Sequence, residues 1–304
     1  MSKRALVLGG GGPVGIAWEA GVVLGLAESG VGLSDVDHVI GTSAGAFVGA
    51  RLALGHDPAV IAKPYQTREE PPAEKGTRAN GASSASAQAG LALLFQKIQE
   101  AKRAGSTATE IAREAGALAL AAETISEDEF VARFLPSLRQ DGVEGGWPSR
   151  SFACTAFNAE DGSFKIWDAA ARVDLARAVA SSCAVPGVFP AITINGGRYF
   201  DGGVLSTTNA QLAKGHDIIV VLAVMEVLLR YSNFASDKKT PLEREVEALR
   251  EGGAAVHVIA FDSDALQVVG ANFMDPHCQP AALREGLRQG RAEAANIRKS
   301  VWPY

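Results

Sequence analysis

The stretch RALVLGGGGPVGIAWEAG, residues 4–21, constrains the chain most. Its first five residues read as a short buried strand. Four consecutive glycines then lead into a helix expected over residues 14–29, where Ile16, Val23, Leu26 and Ala27 fall roughly on one face. A strand that reaches a helix through bare backbone leaves amide N–H groups at the helix N-terminus, and these favour negative charge. Gly10, Gly12 and Gly15 also satisfy the G-x-G-x-x-G spacing of a dinucleotide loop. The guest is therefore either a cofactor's phosphates or a negative charge that arises during a reaction.

The next segment bears on that choice. Residues 36–40, VDHVI, read as a second strand ended by Gly41, and residues 43–54 read as an apolar helix. Between them lies Gly41-Thr42-Ser43-Ala44-Gly45, a G-x-S-x-G turn. A serine on a sharp strand-to-helix turn has its hydroxyl pushed into the open. The residues two before and two after it come too close to carry side chains, which accounts for Gly41 and Gly45. Ser43 is therefore the candidate nucleophile. Strand, loop, helix, strand, turn and helix in this order predict an α/β layer fold with a mostly parallel central sheet flanked by helices.

A nucleophilic serine needs a base. Of the five histidines, His38 lies within the second strand, His56 follows the helix, His257 sits in an apolar run and His216 ends a helix. His277, in DPHCQP, is a loop histidine and stays open as a triad candidate. The better partner is in GGRYFDGGVLSTTN, residues 196–209, where Asp201 precedes Gly202 and Gly203. The two glycines let backbone approach closely. Burial would raise the carboxyl above its free value of about 3.9 and make it a better base. The same stretch has the turn chemistry of a hairpin, so Asp201 also reads as a turn residue.

Residues 66–140 read as a mostly helical insertion. The segment at about 66–90 is rich in Pro, Ser, Ala, Gly and charge and reads as flexible. Leu91, Leu94, Phe95 and Ile98 then mark an amphipathic helix with Lys97, Lys102 and Arg103 around it. Capping boxes at Thr107–Glu110 and Ser126–Glu129 start two more helices, the last carrying Phe130, Phe134 and Leu138. These stripes either pack on the core, or the first helix covers the site or touches a lipid surface. Beyond residue 150, SFACTAF and SFKIW read as a hairpin, and residues 217–224 and 255–261 as central strands. Helices are expected at 174–183, 241–251 and 280–300.

Composition narrows the partners. The net charge is -5 and no basic stripe is interleaved with aromatics, which argues against nucleic acid. Cys154, Cys183 and Cys278 are widely spaced and read as reduced thiols rather than a metal or disulfide framework. No run of 18 apolar residues is present, and the first apolar run is too short for a signal segment, so a cytoplasmic location is expected.

Four stretches, GGGGPVGIAWEAGVV, GTSAGA, SSCAVPGVFPAI and GRYFDGGV, occur in this order across residues 9–204. Together they resemble the patatin-like phospholipases. The resemblance implies a three-layer α/β fold over residues 1–304, with the insertion at 66–140. It implies a Ser43–Asp201 dyad that cleaves acyl esters of lipids with no cofactor and no metal. It assigns Gly10, Gly11 and Gly12 to an oxyanion hole, supported by Gly41, Gly45, Gly202 and Gly203. SSCAVPGVFP matches a stretch near the dyad, stiffened by Pro186 and Pro190. The implied partner is a lipid or ester substrate, met at a peripheral membrane contact. In one place the chain departs from the family, whose glycine loop typically continues Ala-Arg-Gly. Here it continues Pro13-Val14-Gly15, so a cation is lost.

Two other readings stay open. A dinucleotide-binding oxidoreductase expects an acid about 20 residues on that closes the second strand. Asp35 and Asp37 lie before or at the start of that strand, and Ile40 and Gly41 end it. The other reading is a lipid-binding or regulatory homologue with weak or no catalysis.

Overall fold

Alternation along the first strand sets the layers. The computed structural model describes residues 2–33, 36–66, 84–138, 146–231 and 239–300. In β1 (Arg4–Leu8), Leu6 and Leu8 join one buried cluster while Ala5 and Val7 join another, as successive side chains of a strand must. The first cluster holds α1 (Gly12–Glu28) and, after β2 (His38–Gly41), α2 (Ala44–Ala53) and α3 (Pro58–Gln66). The chain is thus a helix–sheet–helix sandwich.

The insertion follows as α4 (Ser84–Arg103), α5 (Ala108–Ala121), α6 (Glu127–Ala132) and α7 (Leu135–Leu138). Leu94 and Ile98 of α4 and Ile111, Ala112 and Ala115 of α5 pack with Phe157 and Phe200 of the sheet, so these stripes face the core. Gly90 of α4 sits against the Gly187 carbonyl, where a Cβ would approach to 2.5 Å. Three expectations change here. Residues 84–90, read as flexible, are helical, because alanines such as Ala87 and Ala89 favour the helix that the following leucines anchor. Residues 67–83 of that segment lie outside the described residues. The third helix splits into α6 and α7, since Pro136 has no N–H to continue the ladder. Helix α3 was not anticipated, although Asp57 accepts the Ala59 N–H just ahead of Pro58.

Next come β3 (Ser151–Asn158), β4 (Phe164–Trp167), α8 (Leu175–Ser182), β5 (Ile192–Ile194), β6 (Gly197–Asp201), β7 (Ile218–Ala223), α9 (Glu226–Tyr231), α10 (Pro241–Glu251), β8 (Ala255–Ala260), α11 (Ser263–Val269) and α12 (Gln279–Ser300). The eight strands among the described residues pair along the path β5–β6–β3–β2–β1–β7–β8, with β4 also on β3. From β3 to β8 along this path the pairs are parallel; β4, β5 and β6 run antiparallel to their neighbours. The second strand begins at His38, not residue 36, because the Asp37 carboxylate instead accepts the Arg4 N–H at 2.7 Å.

The register positions the site. Cys154 pairs with Gly41 and with Trp167, while Ala156 pairs with Asp201 and with Lys165. A strand residue has two edges, and from Cys154 to Phe157 β4 occupies one of them. Strands β2 and β6 therefore share the other edge of β3, end to end. Their C-termini converge on Thr155, delivering Gly41 from one side and Asp201 from the other.

Helices α1 and α12 close the outer layer along a glycine seam. A Cβ at Gly286 would lie 2.1 Å from the Trp18 carbonyl oxygen, and one at Gly290 would lie 2.3 Å from that of Val22. Trp18 Nε1 donates to Gln289 Oε1 at 2.7 Å across the same seam. Alanine is worth about 1 kcal/mol over glycine inside a helix. Gly286→Ala should nonetheless lower stability by about 1–3 kcal/mol, because the helices must separate. A urea unfolding midpoint that rises in this variant would contradict the seam.

Candidate active site

The serine turn is held in a conformation that serine rarely adopts. Ser43 has φ 54° and ψ −118°, outside the ordinary left-handed basin. Such strain costs on the order of 1–3 kcal/mol and persists only where neighbours over-determine it. Here the Thr42 N–H donates to Leu8 O at 3.0 Å, and the Gly45 N–H donates to Gly9 O at 3.0 Å. The Ser43 N–H donates to Ser182 Oγ at 3.0 Å, and Cys183 Sγ donates to Ser43 O at 3.1 Å. A Cβ at Gly41 would fall 2.4 Å from Ala46 Cα, and one at Gly45 would fall 2.2 Å from Leu8 O. The spacing argument for these two glycines is thereby given its atoms.

Asp201 ends β6, and its N–H donates to Ala184 O at 3.0 Å. Its carboxylate accepts the Gly203 N–H at 2.7 Å, and the Ser43 side chain lies beside it. Both residues are buried, Ser43 at 7% and Asp201 at 5% exposure. Burial pushes the Asp201 carboxyl up to about 7, and the Ser43 side chain and the Gly203 N–H only partly oppose that rise. Gly202 packs on Thr155, where a Cβ would approach Oγ1 to 2.2 Å.

The glycine loop lies beside the serine. A Cβ at Gly10 would be 3.3 Å from Ser43 Cβ. Gly10 departs from its expected role, since its N–H donates to Thr207 O at 2.7 Å and is engaged. Gly11 is the N-cap of α1 and Gly12 its first residue. Among the described residues no acceptor takes the N–H of either, so both amides are left open at the helix start. Val14 is fully buried, with its N–H on Phe273 O at 3.3 Å. The position where the family carries a cation is here part of the core.

Sequence reasoning missed the polar network that joins these pieces. Asn209, in the left-handed region at φ 51°, donates its side-chain amide to Thr42 Oγ1 at 3.0 Å, Gly202 O at 3.1 Å and Ser206 O at 3.0 Å. Thr42 Oγ1 and Thr155 Oγ1 are 3.0 Å apart. From α10, the Glu245 carboxylate accepts Thr208 Oγ1 at 3.0 Å and the Ala210 N–H at 2.9 Å. The tail of GGVLSTTN carried that signal, for asparagine tolerates the left-handed region better than other side chains.

No histidine takes the place of Asp201 at Ser43. His38 begins β2, at the end away from Ser43, beside Ser151 Oγ at 2.7 Å. His257 pairs with Glu293 at 3.1 Å within β8. His277 is exposed in the turn before α12, so the open triad reading is not supported by its placement. Asp37 bonds the Arg4 N–H at the start of β1, not at the glycine loop, and Asp35 lies outside the described residues. Among the described residues no group of three or more His, Cys, Asp or Glu could hold a metal ion. Nor is any described helix long and apolar enough to cross a membrane.

Fold and site define a three-layer α/β protein whose serine elbow faces a buried carboxylate. The chain belongs to the patatin-like phospholipase family, whose sequence profile matches residues 6–214. No curated protein matches it. Among solved structures it is similar to VipD from Legionella pneumophila, at 15% identity and TM-score 0.45, covering 97% of this chain and 67% of that one. It is also similar to the type III effector protein ExoU, at 17% identity and TM-score 0.44, covering 97% of this chain and 53% of ExoU. A complex of ExoU with SpcU from Pseudomonas aeruginosa matches at 18% identity and TM-score 0.38, covering 95% and 53%. These scores are below 0.5, so the family assignment rests on the sequence match.

The raised Asp201 carboxyl has a thermodynamic sign. The folded state keeps this proton where the unfolded chain releases it, so stability falls as pH rises from about 4 to the folded value near 7. Asp201→Asn removes the penalty while keeping the shape. It should stabilise the fold by about 2–4 kcal/mol more at pH 8 than at pH 5. Melts at the two pH values check this; an equal shift at both would show that the charge is not the cause.

Proposed function

We propose that the chain is a serine acyl hydrolase of the phospholipase A, lysophospholipase or esterase type, cleaving carboxylic esters of lipids. The observation that carries this reading is the strained elbow that sets Ser43 beside the buried Asp201 carboxylate, whose burial brings it to about 7. A base acts best when its pKa lies near the working pH, and an ordinary exposed aspartate is too weak a base for a serine hydroxyl. Asp201 accepts the Oγ proton as Ser43 Oγ attacks the ester carbonyl carbon. The carbonyl oxygen takes the negative charge and receives the N–H groups of Gly11 and Gly12. The C–O bond to the alcohol then breaks, and Asp201 returns the proton to the leaving oxygen. Water, losing a proton to Asp201, attacks the acyl-serine; the proton returns to Ser43 Oγ and the fatty acid leaves.

Each oxyanion donor of this kind is worth about 10²–10³ in rate. The strained elbow and the buried acid are the stability cost of this arrangement. The lost cation at position 14 leaves headgroup choice to other parts of the chain, and the insertion at 66–140 is the part we assign to it. Leu93 of α4 and Leu120 of α5 are exposed on that insertion, which supports lipid contact there. Residues 1–304 are read as one patatin-like unit.

A fluorophosphonate should label Ser43, and Ser43→Ala should lower turnover of a p-nitrophenyl acyl ester by about 10⁴-fold or more. The kcat/KM should rise with pH through a single ionisation near 7, because Asp201 must lose its proton to act as base. Folded protein in which Ser43 resists the label, or turnover that survives Ser43→Ala, would overturn the proposal.

A further inference from the structure

The glycine loop is gripped from a part of the chain that the family match does not reach. Residues 273–279 lie beyond residue 214 and pack on the first turn of α1. Gln279 is buried, and its Nε2 donates to Pro13 O at 2.9 Å. Phe273 O accepts the Val14 N–H. A Cβ at Gly12 would lie 2.7 Å from Phe273 O and 2.9 Å from Met274 Sδ, so this segment lies directly against the loop. The segment is anchored in turn. Phe273 packs on Phe261 at 5.1 Å between ring centres, and Phe261 packs on Trp18 at 5.7 Å. Gln289 ties Trp18 to Ala260 O through bonds of 2.7 Å each.

Count the amides at this helix start. Gly10 donates to Thr207 O, Pro13 has no N–H, and Val14 donates to Phe273 O. Among the described residues Gly11 and Gly12 keep untaken amides, and their direction depends on how the turn after them is held. One unit beyond the Gly12–Pro13 peptide, the Pro13–Val14 peptide is held at both ends: Gln279 donates to its carbonyl and Phe273 O accepts its N–H. An apolar Val14 gives it no side-chain anchor of its own.

We propose that Gln279 is a positioning residue for the oxyanion donors: by holding the Pro13 carbonyl, it aims the N–H groups of Gly11 and Gly12 at the ester oxygen. This rests on the hydrolase reading above. Gln279 acts through the Pro13 carbonyl. Its effect belongs to the transition state, where a donor misplaced by about 1 Å can cost about 10²-fold in rate.

The test uses the full chain. Gln279→Glu keeps the shape and removes the N–H that Pro13 O accepts; Gln279→Ala removes the contact altogether. Sites are counted by complete fluorophosphonate labelling, and turnover of a soluble p-nitrophenyl ester is expressed per labelled site. Both variants should lose about 10–100-fold in kcat with KM within about twofold, the signature of an interaction made only in the transition state. Amide hydrogen exchange in peptides covering residues 9–15 should rise in both. Wild-type kcat per labelled site in Gln279→Glu, or a change confined to KM, overturns the proposal. So does a loss of stability with unchanged exchange at residues 9–15. If the wild-type chain neither labels at Ser43 nor turns over ester, the hydrolase reading fails instead. The exchange measurement then decides alone whether Gln279 holds the loop.

Discussion

Along one edge of β3, two strands run toward each other and stop at Thr155. Strand β2 pairs with residues up to Cys154 and β6 with residues from Ala156, so one central residue separates a serine turn from an aspartate turn. A parallel sheet alone would send every strand end to one rim, spaced by whole strands. The antiparallel β6 instead shares an edge with β2, and that is how Asp201 reaches Ser43. Shifting β6 by one residue would turn Asp201 to the other face of the sheet, since side chains alternate with period two. The register is pinned where Gly202 closes on Thr155 and where the Asn209 amide ties Thr42 to the carbonyls of Gly202 and Ser206.

The energetics follow from that meeting point. A carboxyl removed from water next to a serine at positive φ opposes folding twice. The offsets are local and polar close in: Gly203 to Asp201, Ser43 to Ser182, Gly45 to Gly9. Farther out they are apolar, through fully buried β1 and β7 residues and the α1–α12 seam. The family match covers residues 6–214, whereas α12, one side of the seam, and the segment after α11 come from later in the chain.

Much of this was legible from residue spacing. The elbow could be read because close backbone contact demands glycine at two fixed places, and Gly41 and Gly45 stand there. The sheet could be read because strands buried on both faces are continuous apolar runs, as in β7. Asp201 was legible through the two glycines after it. The engagement of Gly10 was not, because its acceptor is a carbonyl, and any residue could supply one at position 207. Thr155 and Asn209 were hidden for a similar reason: a buried side-chain network is defined by tertiary proximity and leaves no period in the chain. The apolar spacing of Phe130, Phe134 and Leu138 hides the break that Pro136 makes between α6 and α7, and the polar composition of residues 66–90 hides the start of α4.

The order in which the chain is made acquires a meaning from these pairings. Strand β1 sits between β2 and β7, and the glycine loop after it bonds to Thr207 and Leu222. The first strand to be synthesised therefore waits for partners made long after the serine turn. Such distant contacts must pay loop-closure entropy first, and they fold slowly. Until β6 and β7 have emerged, Ser43 has no carboxylate beside it and the loop has no acceptor for Gly10. A growing chain carries its serine as an inert residue, and the site closes as a whole late in synthesis.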